Sequence, residues 1–177
     1  MSIIFDGNPA SEGIAAGTVF RLEWGVPVVP HLSISDDDVE SEIERFHDSR
    51  VWAVERLRET KELTEERLGS VEARIFDPQL LMLEDPEVVE GTMRYIRENR
   101  LSAQRAFELR MLELRSMWSR TSHPMVLDRL NDLEDVMIRL LNRLLGNNDP
   151  TDLATVGEGV IVVAPNLTPS LAVQLDL

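Results

Sequence analysis

The residues from which this chain could build chemistry are three histidines, His31, His47 and His123, and an abundance of carboxylates. None of the histidines stands with carboxylates at a helical metal spacing such as H-E-x-x-H, so no metal site is expected. With 32 Asp and Glu in 177 residues any two carboxylates look paired, and no acid–base couple is singled out. There is no G-x-S-x-G elbow, no Walker loop and no G-x-G-x-x-G to present a nucleophile or cradle a phosphate. Cysteine is absent, which excludes a disulfide framework, thiolate catalysis and cysteine-held zinc. The helix start at Thr168-Pro169-Ser170 could offer backbone donors to an anion, although capping alone accounts for those residues. No catalytic scheme stands out.

The elements that would position any site fall into three textures. Residues 1–34 are punctuated by Gly7, Pro9, Gly13, Gly17, Gly25, Pro27 and Pro30, which separate short apolar pieces such as Gly17-Thr18-Val19-Phe20-Arg21-Leu22; strands and turns are predicted. At Ser35 a serine N-cap with an acid three residues on, Asp38, opens a helix. Val39, Ile43, Phe46, Ala53 and Leu57 carry its stripe, with Arg50 in one position, to about Leu68. Gly69 breaks it. A second helix is predicted over 71–83, kinked or restarted by Pro78. Asp85-Pro86-Glu87 starts another, to about Glu98. Ser102 begins the next, carrying Ala103, Ala106, Phe107, Leu114 and Trp118, and Pro124 opens the last. Val126, Leu130, Leu133, Met137, Leu140 and Leu144 form its stripe, and Gly146 ends it. Beyond 147–150 the β-branched run Gly159-Val160-Ile161-Val162-Val163-Ala164 predicts a buried strand, followed by the helix start at Thr168. The fold class expected is α+β and mainly helical: an antiparallel bundle of four or five helices inserted into an incomplete β/α piece made from both ends. The boundaries are 1–34 and 148–177 for that piece and 35–147 for the bundle.

Composition narrows the partners. The length suits one ordinary domain, or one small domain interrupted by another. No run approaches the ~18 apolar residues that span a bilayer, and Met1-Ser2-Ile3-Ile4-Phe5-Asp6 has neither the basic nor the apolar region of a signal peptide. Cytoplasm is the expected compartment. A net charge of −14 repels phosphate backbones and anionic membranes, leaving a basic protein as the natural partner. Between Asp36 and Glu98 stand 19 Asp and Glu against 9 Lys and Arg, a net of −10, so the surplus is concentrated there.

Four stretches in order carry a family resemblance. They are Ala10-Ser11-Glu12-Gly13-Ile14-Ala15-Ala16-Gly17, Ile75-Phe76-Asp77-Pro78-Gln79-Leu80-Leu81-Met82-Leu83-Glu84-Asp85, Arg129-Leu130-Asn131-Asp132-Leu133-Glu134-Asp135-Val136, and Val160 to Leu175 with its Leu167-Thr168-Pro169-Ser170. Together they resemble the A-S-P-G-I-A-x-G, I-F-x-x-H-x-x-L-L-E-D, R-x-x-D-V-R-D and L-T-P-S segments of enzyme I of the bacterial sugar phosphotransferase system. Glu12 stands where proline is usual, Gln79 where histidine is, and Pro86 and Glu134 replace a more common acid and arginine.

The resemblance implies that a parent enzyme takes a phosphoryl group from phosphoenolpyruvate, with magnesium, onto a histidine. It then passes the group to a small histidine phosphocarrier protein docked on the helices. The incomplete β/α piece would be of the phosphohistidine type. The accepting histidine lies in a G-G-x-T-S-H motif past the L-T-P-S helix, beyond Leu177, so this stretch alone is expected to be inactive, monomeric and without a cofactor of its own. Arg120-Thr121-Ser122-His123 repeats the T-S-H letters but lacks the paired glycines and precedes the L-T-P-S helix; it is read as coincidence. The docking positions implied are Arg74, Ile75, Asp77, Gln79, Leu81, Met82, Asp85 and Glu87, with Leu114, Trp118 and Arg129 across a groove. Core packing would explain Met82 and Trp118 equally well. The departures at the rim leave open which carrier is meant. The nitrogen-regulatory branch of the same family, a helical adaptor for another basic protein, and a hydrolase built on clustered carboxylates remain the alternatives.

Overall fold

The structure, a computed structural model, describes residues 3–22, 24–120, 124–147, 156–157, 159–165 and 169–172; at 124, 125, 127, 128, 169 and 170 it describes the backbone alone. His123, the 148–150 boundary and the Thr168 cap lie outside the described residues. The elements run β1 (Thr18–Arg21), α1 (Val39–Leu68), α2 (Ser70–Ala73), α3 (Asp77–Glu84), α4 (Pro86–Asn99), α5 (Ala103–Trp118), α6 (Pro124–Leu145), β2 (Val160–Val163) and α7 (Pro169–Ala172). Asp36–Asp38 and Arg74–Phe76 form 3-10 turns. Among the described residues the chain is mainly helical, with one small sheet.

The stripe predicted over α1 is the face it buries. Phe46, Ala53, Val54 and Leu57 meet Ile96, Ala106, Phe107, Met111, Met137, Leu140 and Leu141 in one continuous core, the Phe46 and Phe107 rings lying 6.0 Å apart. Each of these side chains larger than alanine removes apolar area worth ~1.5–3 kcal/mol. Arg50, the polar member of the stripe, donates through Nη1 to the Leu83 carbonyl at 3.3 Å, near the end of α3, where carbonyls lack partners within their own helix. The start of α1 behaves as read: Ser35 and Asp38 form a reciprocal capping box.

Helices α5 and α6 are capped in part by α1. Ser102 occupies the N-cap position of α5, but its side chain makes no capping bond. Glu42 instead accepts from the Ala103 N–H at 2.6 Å. Arg45, paired with Glu42, donates to the Leu144 carbonyl at 2.8 Å and to Gln104. Glu42→Ala is therefore expected to cost ~1–2 kcal/mol in a urea melt, the cap plus the orientation of Arg45. A loss within 0.3 kcal/mol would mean that Ser102 takes over as cap.

β1 and β2 pair in parallel, Thr18 opposite Val160 and Arg21 opposite Val163, although the long helices lie between them in sequence. Gly17 makes the approach possible: a Cβ there would sit 2.3 Å from the Gly159 carbonyl oxygen. A second, smaller core joins this sheet to the helices. Leu22, Trp24 and Leu171 pack on Ile138, which points out of α6 away from the first core.

The stretch 71–83 restarts at Pro78 as expected: the Arg74–Phe76 turn divides it, and α3 begins at Asp77 with Pro78 in its first turn, where its missing N–H costs nothing. One expectation is corrected. The buried strand is only partly buried: Val163 is half exposed and all of β1 is exposed. A sheet of two described strands leaves much of its surface to water, so its β-branched run is half covered.

Candidate docking groove

An open groove of about 560 Å³ runs between α3 and the start of α4 on one side and α5 and the start of α6 on the other. Helical periodicity lines it: Pro78, Leu81, Met82 and Asp85 follow a spacing of three and four, and so do Arg110, Leu114, Met117 and Trp118. Met82 and Leu114 form a buried floor, shared with the first core, while Leu81 and Met117 stand 69% and 57% exposed at the mouth. Glu87 and Arg129 stand beside these exposed apolar side chains.

The eight-residue α3 cannot hold its own orientation by length, and polar ties from α1 and α6 do so. Lys61 pairs with Asp77 at its start, Arg58 with Glu84 at its end, and Arg50 holds the Leu83 carbonyl. From beneath, Gln79 donates to the Asp135 carboxylate at 3.3 Å. Asp85 then caps α4, accepting from the Glu87 N–H at 2.8 Å.

Arg110 is the residue that shapes the opposite wall. Its side chain is 5% exposed and bonds through Nε to the Glu87 carbonyl at 2.8 Å and through its terminal nitrogens to Glu87 and Glu113, both at 2.6 Å. It lies directly against Gly91, where a Cβ would fall 2.5 Å from Nε and 2.8 Å from Cδ. Gly91→Ala gains helix propensity of ~1 kcal/mol but displaces a guanidinium held at three points. The net expectation is a loss of ~1–2 kcal/mol, measured by chemical denaturation; a more stable variant would show that Arg110 swings aside freely.

A family model described as PEP-utilising enzyme, N-terminal, matches residues 6–129. The chain belongs to the PEP-utilising enzyme N-terminal family. The phosphoenolpyruvate-protein phosphotransferase of Haemophilus influenzae is 34% identical over 98% of this chain. The chain spans about 30% of the length of the curated relatives it matches. Among solved structures, the NMR solution structure of the Enzyme I protein nEIt superposes with a TM-score of 0.77 at 29% identity, over 94% of this chain and 66% of that one. The N-terminal domain of Enzyme 1 - Nitrogen superposes with a TM-score of 0.63 at 21% identity, over 83% of this chain and 58% of that one, a likeness of fold.

In this PEP-utilising N-terminal chain seven of the residues singled out from sequence meet at the groove: Leu81, Met82, Asp85, Glu87, Leu114, Trp118 and Arg129. Arg74 and Ile75 are exposed on the turn before α3 and Asp77 is tied to Lys61, none of them in the lining. Gln79 is a correction as a surface residue: only 5% exposed, it points inward to α6, because the position after Pro78 is turned roughly 100° from the groove face. Pro78, Val88, Arg110 and Met117 also line the groove and were not anticipated, although each stands three or four residues from Leu81, Asp85 or Leu114, which were. The acidic surplus is not focused in the lining, where Asp85 and Glu87 face Arg110 and Arg129. Among the described residues no helix is long and apolar enough to cross a membrane.

Proposed function

We propose that this chain is the phosphocarrier-docking portion of a phosphoenolpyruvate-dependent protein phosphotransferase. The observation that carries the reading is the groove: an apolar floor, two exposed apolar side chains at the mouth, charged side chains at the edge, and every lining residue inside the stretch matched by the family model. In this reading the parent enzyme moves a phosphoryl group from phosphoenolpyruvate to a histidine and on to a small histidine phosphocarrier protein held here. Magnesium and phosphoenolpyruvate belong to other parts of the parent. The two carboxylates of the groove are engaged within the chain: Asp85 caps α4 and Glu87 pairs with Arg110. The same reading makes 35–147 a helical docking unit inserted between 1–34 and 148–177 of a phosphohistidine-type β/α domain; the pairing of β1 with β2 supports it. The nitrogen-regulatory branch is a second reading, favoured by the fold likeness to Enzyme 1 - Nitrogen.

The test is a binding titration of the chain with sugar-branch and nitrogen-branch phosphocarriers and with an unrelated basic protein. Binding on the order of micromolar to one carrier is expected, weak enough for release in each cycle. Met82→Ala or Trp118→Ala should weaken it by ~1–2 kcal/mol. The net charge of −14 should speed association ~10-fold or more at low salt, with little change in dissociation. Equal binding of the unrelated basic protein would point to an adaptor, and no binding to either carrier would overturn the reading.

A further inference from the structure

Glu87 stands at the edge of the groove with 79% of its side chain exposed, yet it is held in place. A glutamate so open to water ordinarily samples several rotamers, and a partner that grips it must offset the freedom it loses. Here Arg110 fixes it in advance. The guanidinium donates through Nε to the Glu87 carbonyl at 2.8 Å and through Nη2 to the Glu87 Oε2 at 2.6 Å, so backbone and side chain are tied to one planar group. That group is fixed in turn. It is 5% exposed, donates through Nη1 to Glu113 at 2.6 Å, and lies against Gly91, where a Cβ would fall 2.5 Å from Nε. An ionised carboxylate accepts several hydrogen bonds, so an exposed Glu87 held through Oε2 keeps capacity for a donor from outside. Leu81 and Met117 stand exposed at the mouth of the same groove.

We propose that Arg110 is a positioning residue: it presets Glu87 as the acceptor for a basic side chain that the docked partner carries beside its apolar contacts. This rests on the docking reading above and adds to it the residue that aims one charge of the rim. The guanidinium also cancels charge, since one cation against the carboxylates of Glu87 and Glu113 leaves a net of −1. The arrangement therefore weakens attraction at a distance and strengthens geometry at contact. Its effect belongs to release of the partner and not to its approach. Gly91 is the other half of the device. It is not among the residues lining the groove, and it acts on docking by leaving room for the guanidinium.

Association and dissociation rates of the full chain with sugar-branch and nitrogen-branch phosphocarriers, read from NMR line shapes, test this. Gly91→Ala changes no charge and touches no partner, yet it should speed dissociation ~10-fold and leave association within about twofold. Glu87→Gln should speed dissociation to a similar degree. Gly91→Ala added to Glu87→Gln should then have no further effect, because no carboxylate is left to aim. Glu59→Gln removes an equal charge from α1, where Glu59 is 63% exposed and paired with Arg56, and should leave dissociation unchanged. In the free chain, three-bond couplings of the Glu87 side chain should report one rotamer, and averaging in Gly91→Ala. A Gly91→Ala effect that persists in full beside Glu87→Gln overturns the proposal, because it would then act through the groove wall. Dissociation unchanged by Glu87→Gln overturns it too, as do averaged couplings in the unsubstituted chain; these two outcomes decide should Gly91→Ala fail to fold. A chain that binds neither carrier overturns the docking reading, and this proposal with it.

Discussion

Arg110→Ala is expected to lower the stability of the chain by about 2–3 kcal/mol and to open the α5 wall of the groove. The size follows from what the side chain touches. Glu87 and Glu113 are 79% and 44% exposed and can turn to water once the guanidinium is gone, so the penalty for a stranded buried charge does not apply in full. What is lost is the donor to the Glu87 carbonyl and the packing against Gly91. Arg110→Lys should recover little, since an ammonium cannot reach three acceptors in a plane. The decisive measurement is the double-mutant cycle with Gly91→Ala. The two side chains compete for one space, so alanine at 91 should be destabilising beside Arg110 but stabilising, by up to ~1 kcal/mol, in the Arg110→Ala background. A cycle that is additive to within a few tenths of a kcal/mol would show that the close approach carries no strain.

The second large effect is on the pH dependence of stability. Burial holds the folded-state pKa of Asp135 at about 6, above the ordinary 3.8. The folded chain therefore binds a proton more tightly than the unfolded chain. Stability from this group is fully present below pH 4, declines as pH rises through 6, and is flat above. A shift of about two units corresponds to roughly 3 kcal/mol. Asp135→Asn lacks this titration, so its stability relative to the unsubstituted chain should improve by roughly that amount between pH 4 and 7. Urea midpoints at both pH values give the comparison. A difference independent of pH would mean that Asp135 is ionised in the fold throughout, as a carboxylate compensated by Arg139 would be.

The long helices were legible because local chemistry specifies them. Ser35 with Asp38, Asp85 with Pro86, and the stripes from Val39 to Leu57 and from Leu133 to Leu144 are short-range signals, and each describes a real start or buried face. The likeness of four ordered motifs to enzyme I was equally a property of the residues, and the family match stands with it. Much of the groove was within reach for the same reason, since residues three and four apart share a helix face. The rest depended on contacts between distant segments. Ile138, Arg139 and Asp135 break the stripe of α6 and look like its solvent side, yet all three are buried, because the sheet-side core closes over that face. Gln79 occupies a motif position that reads as surface but is turned toward α6. Gly91 interrupts a helix for no local reason; the reason is Arg110, nineteen residues on. Which apolar residue faces water, which arginine is buried and which carboxylate is short of solvent are set by what packs across the chain, and no periodicity encodes that.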